Sequence, residues 1–512
     1  MRTWWKPAVA TLAAFVALSS WAVSSPVGSS PDEDFHLASI WCSPAARGDL
    51  CSPGTKLKNR EVAFALTKRV ACYAEDETKS AACQVNRKVF ETSKTAVTER
   101  GNFLSKYPPV FYATMSVFAG PDVRASVVAM RLFNVALFSL LTLSACLLVG
   151  RRWRFVLGAA LLTTLVPLGV SLVASLNPSS WTIAGTCILF VVSSAIFENI
   201  TNGRAIRHER GRFIGQAIVA SISFIMAAGS RSDGALFALL AVSLAFGLAR
   251  TWTVLRNWTL LIVAGFVVLT SAFLFVTRNT VFTPSELSDF ERNAGKEGRA
   301  FLVVLGKNVL AIPDLLRQFF GSQGLGWLDT GMPAIATLGA MVVFVAVMSV
   351  RIVQARRQTL WVLGAGAIAV VLVPLAYLQV RNAFVGESFQ ARYLLPLVIV
   401  LAAVALAGGR EPVIPRRIAI LALPVLILAN AAALYANMSR YIQGGKATSW
   451  NLDEAKWWWT NMPSPMVVWI VGSVAFAIAA TAVLWPAIRR GAATTEADVR
   501  ELTTTGARTD SA

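Results

Sequence analysis

Charge is scarce in this chain. Only 15% of its 512 residues are Asp, Glu, Lys or Arg, against roughly 25% in an ordinary soluble protein. Histidine is nearly missing, with two in the chain. That leaves too few imidazoles for haem- or quinone-type redox chemistry. No Walker loop, Rossmann glycine fingerprint or HExxH occurs, so the nucleotide and zinc-peptidase chemistries those motifs serve have no footing. No fixed short period recurs, which excludes a solenoid.

What fills the chain instead is apolar: 55% of it is hydrophobic, in long runs separated by short arginine-rich punctuation. That pattern predicts an all-α polytopic membrane protein. The net charge of +19 does not point to nucleic acid. The basic residues sit between the apolar runs, where the positive-inside rule puts them.

Twelve spans are expected, near 7–24, 125–149, 155–174, 179–197, 213–229, 234–249, 258–276, 332–350, 360–379, 393–408, 417–436 and 465–487. The start, "MRTWWKPAVATLAAFVALSSWAVSS", imitates a secretory signal. It reads better as an uncleaved first span over 1–24. The arginine clusters 151–154, 204–212, 351–357 and 410–417 then fall on one side, with both termini. This arrangement predicts cytoplasmic termini and two long extracytoplasmic loops: 25–124, between the first span and helices 2–7 (125–276), and 277–331, between those and helices 8–12 (332–487). The tail 488–512 is small and polar and is expected to be disordered. "YPPVFYATMSVFAG" is too short to span and reads as an interfacial or re-entrant piece. "FLVVLGKNVLAIPDLLRQFFG" reads as an amphipathic helix broken by Pro313 and lying on the outer surface.

Of six cysteines, Cys146 and Cys187 lie in apolar runs. Cys42, Cys51, Cys72 and Cys83 share the first loop. Four cysteines allow three pairings. The sequence-local one, Cys42 with Cys51 and Cys72 with Cys83, is expected, and it requires an oxidising compartment.

That loop opens with "PDEDFH". Asp32, Glu33 and Asp34 are adjacent, so on a helix they point about 100° apart and cannot all serve one site. His36 would share a face with Asp32 and Glu33. Pro31 fits a first turn with Ser29 or Ser30 as cap. One reading is a cap and a solvated acidic face. The other is a general base or a metal ligand at the membrane surface. His36 with two acids is a small set for a divalent metal, which stays open as a cofactor. Arg124, Arg131, Arg231, Arg278, Arg381 and Arg392 map near the outer ends of spans. Singly they can snorkel; together they can form a phosphate-binding rim. Arg131 lies about two turns into its span, where an ionisable group is expensive.

The ordered set "PDEDFH", "KYPPVFY", "SLNPSSW", "SRSDGAL", "GWLDTGMP" and "FQARYLLPL" resembles the bacterial multispanning family called domain of unknown function 2142. The family usually reads Gln-Gly-Arg-Tyr in the last motif, where this chain has Ala391. It often has Asp after the asparagine-proline turn, where this chain has Ser179. The family in turn looks like the GT-C type of membrane glycosyltransferase. The resemblance implies an enzyme of the bacterial inner membrane. It would move a sugar from a polyprenyl-phosphate donor to an envelope glycan or glycolipid on the outer face. By position it implies Asp32 or Glu33 as base, with His36 beside it. Arg131, Arg231, Asp233, Asp329, Gln390, Arg392 and Tyr393 would contact substrate. Two other readings stand beside this one: a transporter or flippase for envelope glycolipid, and a non-catalytic scaffold of an envelope-assembly complex. A transporter would place polar groups at mid-membrane in broken helices. Here they gather at the outer ends.

Overall fold

The computed structural model of this protein describes residues 5–44, 46, 50–85, 87–90, 94–201, 209–249, 265, 299–387, 389–409, 414–445, 449–455 and 457–509. Among them the chain is a helical bundle with a small folded loop on one end. Helices α1 (Trp5–Val23) and α2 (Glu33–Trp41) come first. The loop then forms strands β1 (Cys51–Pro53), β2 (Arg60–Ala63) and β3 (Thr95–Thr98). They pair antiparallel in the order β1-β2-β3, with Ser52 opposite Glu61 and Val62 opposite Ala96. This little sheet is an addition to the all-helical expectation. Its strands are three or four residues long, too short for period-two alternation to show in the sequence. Disulfides Cys42–Cys51 and Cys72–Cys83 brace the loop, in the sequence-local pairing expected; Cys146 and Cys187 are free and buried.

The chain continues as α3 (Pro109–Met115), α4 (Val123–Leu148), α5 (Arg151–Thr164), α6 (Leu168–Val173), α7 (Ser179–Thr201), α8 (Arg210–Ser230) and α9 (Gly234–Leu248). After it come α10 (Phe301–Gln318), α11 (Ala340–Val353), α12 (Arg357–Val380), α13 (Leu395–Ala407), α14 (Arg416–Gln443) and α15 (Pro465–Thr509).

Eight helices among the described residues are long and apolar enough to cross a membrane. They match eight of the twelve expected spans. The span expected at 155–174 is two helices, α5 and α6. Pro167 has no N–H to donate and turns the preceding residue away from helix, so the run breaks there. α9 and α13, at 15 and 13 residues, fall short of a roughly 30 Å core. Of the span expected at 258–276, all but residue 265 lies outside the described residues.

Burial follows an inside-out logic. α7 is enclosed by protein along its whole spanning window. It admits α8 through Gly185, where a Cβ would meet the Ser223 carbonyl. α8 turns Ile214, Ile218, Ile222 and Ile225 outward, a row at helical spacing. In a bilayer such a row meets lipid. α1 packs against α4 and α15, and its Trp21 donates to Asn430 Oδ1 at 3.1 Å. At the bundle end away from the loop, Arg351 and Arg152 donate to Leu406 and Ala407 carbonyls, closing the C-terminus of α13.

One expectation fails locally. α10 runs unbroken through Pro313. Val304, Asn308 and Leu315 form one buried stripe on it, and Asn308 donates to the Ala383 carbonyl. This tertiary packing offsets the one helical bond a proline removes. The tail after Ile488 continues α15 to Thr509. Its Ala492, Ala493, Glu496, Ala497, Glu501 and Leu502 are good helix formers. The "YPPVFY" piece, expected to be interfacial or re-entrant, is helix α3, and it buries Phe111, Tyr112 and Met115 beneath the loop.

Candidate functional site

Helix α2 starts later than its sequence suggests. Glu33 is its first residue, and Asp32 stands at the N-cap with φ 57° and ψ 20°. Pro31 is outside the helix, and neither Ser29 nor Ser30 caps it. Glu33 instead accepts from the Ser30 N–H at 2.9 Å. A non-glycine residue in the left-handed region costs about 1–3 kcal/mol and survives only where its surroundings fix it. An N-cap Asp ordinarily turns its carboxylate onto the helix. Asp32 makes no such bond. Its Oδ2 accepts from Arg392 Nη2 at 2.5 Å, and its Oδ1 from Arg100 Nη2 at 3.3 Å. Its side chain keeps 43% exposure.

The other two acids point elsewhere, as adjacent helical residues must. Glu33 is fully buried and takes two bonds from Arg131, at 2.9 and 3.0 Å. Arg131, 1% exposed, also donates to the Ala22, Ser25 and Pro26 carbonyls. This pair is a buried clamp between α4 and the loop. Both side chains are turned inward on each other, whereas that of Asp32 stays half-exposed. Asp34 is buried against Arg100, which donates from Nε at 2.6 Å and Nη2 at 3.1 Å.

His36 is buried between aromatic rings, with Nδ1 3.0 Å from the Tyr112 hydroxyl and the Tyr107 ring edge-on. Burial pushes it down to about 3; Arg392, Arg231 and Arg100 act the same way and Asp32 opposes. His36 is therefore neutral at ordinary pH. Burial alone would raise the Asp32 carboxyl, but Arg392 and Arg100 outweigh it and hold it below the usual range. With Glu33 on Arg131 and His36 on Tyr112, the two-acid and histidine set does not converge on a cation. Among the described residues no three His, Cys, Asp or Glu side chains gather as ligands.

Around Asp32 the remaining motifs assemble. Asn177 donates to the Pro31 carbonyl at 2.9 Å and accepts from the Ser179 N–H, fixing the turn before α7. Arg231 chelates Asp233 through Nε and Nη2 at 2.8 and 2.7 Å, and Ser179 Oγ lies 3.4 Å from its Nη1. The Tyr393 ring faces both guanidinium groups, Arg231 at 4.5 Å and Arg392 at 5.1 Å. Arg392 Nη2 lies 3.2 Å from the Tyr393 hydroxyl. Arg392 is almost fully buried, and its Nε and Nη1 have no hydrogen-bond partner among the described residues. Gln390, half-buried, precedes this turn, and its carbonyl accepts the Tyr393 N–H.

Asp329 is not part of this group. It is 7% exposed against Arg440 Nη2 at 3.0 Å, and it accepts the Glu75 N–H. It latches the loop onto α14. Arg124 donates to the Trp458 carbonyl, and Arg381 lies over the Tyr377 ring. Arg278 lies outside the described residues. A water-sized polar cavity of about 30 Å³ sits behind Asp32, lined by Ser29, Ser30, Arg131, Ser175, Asn437 and Tyr441. Sequence reading assigned no role to Arg100, Tyr107 or Tyr112. The two tyrosines stood in the quoted "KYPPVFY". Arg100 had no signal, because a charge in a long loop shows no preferred partner.

So "PDEDFH", "KYPPVFY", "SLNPSSW", "SRSDGAL" and "FQARYLLPL" meet at one end of the bundle, although they are spread over some 360 positions. A family model described as "Predicted membrane protein (DUF2142)" matches residues 15–401, which contain all of them. The chain belongs to the DUF2142 family. Neither a curated protein nor a solved structure matches it. For this DUF2142 protein, the clustering of distant motifs on Asp32 and Arg392 is what singles out the site.

Proposed function

We propose that this DUF2142 protein is a membrane glycosyltransferase of the GT-C type. It takes a sugar from a polyprenyl-phosphate donor and gives it to an envelope glycan or glycolipid on the outer face of a bacterial plasma membrane. In this reading the termini are cytoplasmic, and the 25–124 and 277–331 loops face outward, with the disulfides in an oxidising compartment. One observation carries the reading. A half-exposed carboxylate and a buried arginine with unanswered N–H groups form a pair at the bundle end.

The chemistry follows from that pair. A lipid-linked donor keeps its tail in the bilayer and its phosphate at the boundary. Arg392 binds the phosphate through the nitrogens that lack protein partners, and Arg231 adds charge beside it. A phosphate on Arg392 competes with Asp32 for the same guanidinium. Asp32, released, accepts the proton of the acceptor hydroxyl. The hydroxyl oxygen bonds to the anomeric carbon, and the carbon–oxygen bond to phosphate breaks. Its electron pair leaves with the polyprenyl phosphate, whose charge Arg392 stabilises. Tyr393 holds both guanidinium planes in place through its ring. Gln390 and Asp233 orient the two arginines and the sugar.

The deciding experiment substitutes Asp32→Asn. Asparagine tolerates the left-handed backbone and removes the base. Sugar transfer should fall at least a hundredfold at unchanged protein level. Normal envelope glycans in this variant, where gene deletion removes a sugar, would rule Asp32 out.

A further inference from the structure

At the bundle end opposite Asp32 lies a cavity of about 860 Å³. That is within the roughly 300–1,000 Å³ of sites that enclose small ligands. It opens between α1, α4, α5 and α15. Its walls are apolar: Ala14, Leu18, Phe138, Leu162, Phe476 and Val483 are representative. Its mouth is basic. Lys6, Arg151, Arg152, Arg154 and Arg489 all border it; among the described residues no acid lines it, and Glu198 pairs with Arg152 Nη1 from outside at 3.4 Å. Packing alone does not account for such a space. Four helices that needed only each other would close it, as they do where Gly158 lets α5 approach Val483.

The dimensions are informative. Along α1 the lining runs from Lys6 to Leu18, a rise of about 18 Å at 1.5 Å per residue. Along α15 it runs from Phe476 to Arg489, about 20 Å. Half of a roughly 30 Å hydrocarbon core is about 15 Å. In a bilayer that depth matches about one leaflet, which puts the charged rim at the headgroup level.

The rim has the features of an anion site. α5 begins at Arg151, which borders the mouth, and no side chain caps it, so a positive dipole end lies beside the rim. Arg152 Nε has no hydrogen-bond partner among the described residues. Below the rim, buried Ser139 Oγ and Thr142 Oγ1 line the wall and also lack partners. Buried hydroxyls are usually satisfied. The acceptor oxygens of a glycerol ester would answer the nearer one, Thr142.

We infer that this cavity is a binding site for an anionic glycerophospholipid of the arginine-side leaflet. Its phosphate would sit among Arg151, Arg152, Arg154 and Arg489, with an acyl chain between α1, α4, α5 and α15. A one-leaflet depth suits an acyl chain rather than the much longer polyprenyl tail of the proposed donor, whose site is at the other end. The inference does not depend on the glycosyltransferase reading. It needs only a bilayer around the bundle.

The test uses the full chain in nanodiscs or mild detergent and reads retained lipid by native mass spectrometry. Phosphatidylglycerol should be retained at least tenfold over phosphatidylcholine, since each basic group near an anionic surface is worth close to a factor of five. The variant Arg151→Ala/Arg154→Ala/Arg489→Ala should bring the preference under about threefold. Lysine at the same three positions should restore most of it, which separates charge from misfolding. Equal retention of the two lipids by the natural protein would overturn the proposal, and so would a preference surviving the alanine variant. Displacement of phosphatidylglycerol by a polyprenyl phosphate at lower concentration would overturn the choice of lipid.

Discussion

Asp32 and Arg392 are joined at 2.5 Å across 360 positions of sequence, and Asp32 holds a left-handed backbone to make that bond. Its neighbour Glu33, one residue on, is locked to Arg131 inside the protein. One acid is spent on holding the loop down, and the other is left at the surface with a guanidinium that has donors to spare. The two pairs have different consequences when broken.

Breaking the surface pair should affect ligand binding before it affects the fold. Arg392→Ala removes the phosphate donors, and charge-assisted hydrogen bonds are worth roughly 1.5–3 kcal/mol each. Binding of a polyprenyl-phosphate sugar to the reconstituted protein should weaken about 10- to 150-fold. Arg392→Lys should recover only part of this, because an ammonium cannot present a planar fork. An unchanged Kd for the alanine variant would remove Arg392 from the donor site.

Breaking the buried pair should do the reverse. Glu33→Gln leaves Arg131 charged, 1% exposed and without its counter-ion. Removing one partner of a buried pair costs roughly 3–5 kcal/mol. Thermal unfolding in detergent should show a large drop for Glu33→Gln and a small one for Asp32→Asn. The double variant Glu33→Gln/Arg131→Gln should recover part of the loss, because no bare charge remains. Equal drops for the two acids would mean that Asp32 is structural as well.

The contrast marks how far the sequence could be read. Apolar runs bounded by arginine were legible, because burial in lipid demands them over whole spans. The disulfide pairs were legible from spacing. The "PDEDFH" stretch was legible as a place where partners gather, because it is charge where charge is scarce. What could not be read was which acid faces out. That depends on a helix starting one residue after Asp32, through a left-handed backbone no propensity favours. Arg131 was singled out by its depth as an unusual group, and the structure gives it partners inside the protein. Depth reports that a charge must have a partner, and that partner was a residue of the same motif. Arg100, Tyr107 and Tyr112 enter the site only through the folding of the loop.

The disulfides should matter to that loop more than to the bundle. The bridges close 9- and 11-residue separations. By chain entropy each is worth roughly 2.5–3 kcal/mol. Non-reducing peptide mapping should recover Cys42 with Cys51 and Cys72 with Cys83, and alkylation after unfolding should find Cys146 and Cys187 as thiols. Cys72→Ser/Cys83→Ser should expose the loop to limited proteolysis while the spans stay protected. Alkylation of all four loop cysteines without reductant would refute the pairing.

Acid should loosen the site through His36. An exposed histidine titrates near 6.5, whereas burial holds His36 near 3. Between those values the unfolded chain binds a proton that the folded chain does not. Stability therefore falls as pH drops, by about 1.4 kcal/mol per unit, and is level above about pH 7. Asp32 acts lower on the scale. Its carboxyl is held below the usual range, so its contribution is present above about pH 4 and is lost as pH falls further. His36→Gln keeps a polar partner for Tyr112 and cannot gain a charge. Thermal midpoints at pH 7.5, 6.5, 5.5 and 4.5 should fall more steeply for the natural protein than for His36→Gln. The difference should open below pH 6.5 and not above it. Parallel curves would mean that His36 takes up its proton in the folded state and that its pocket is open to water.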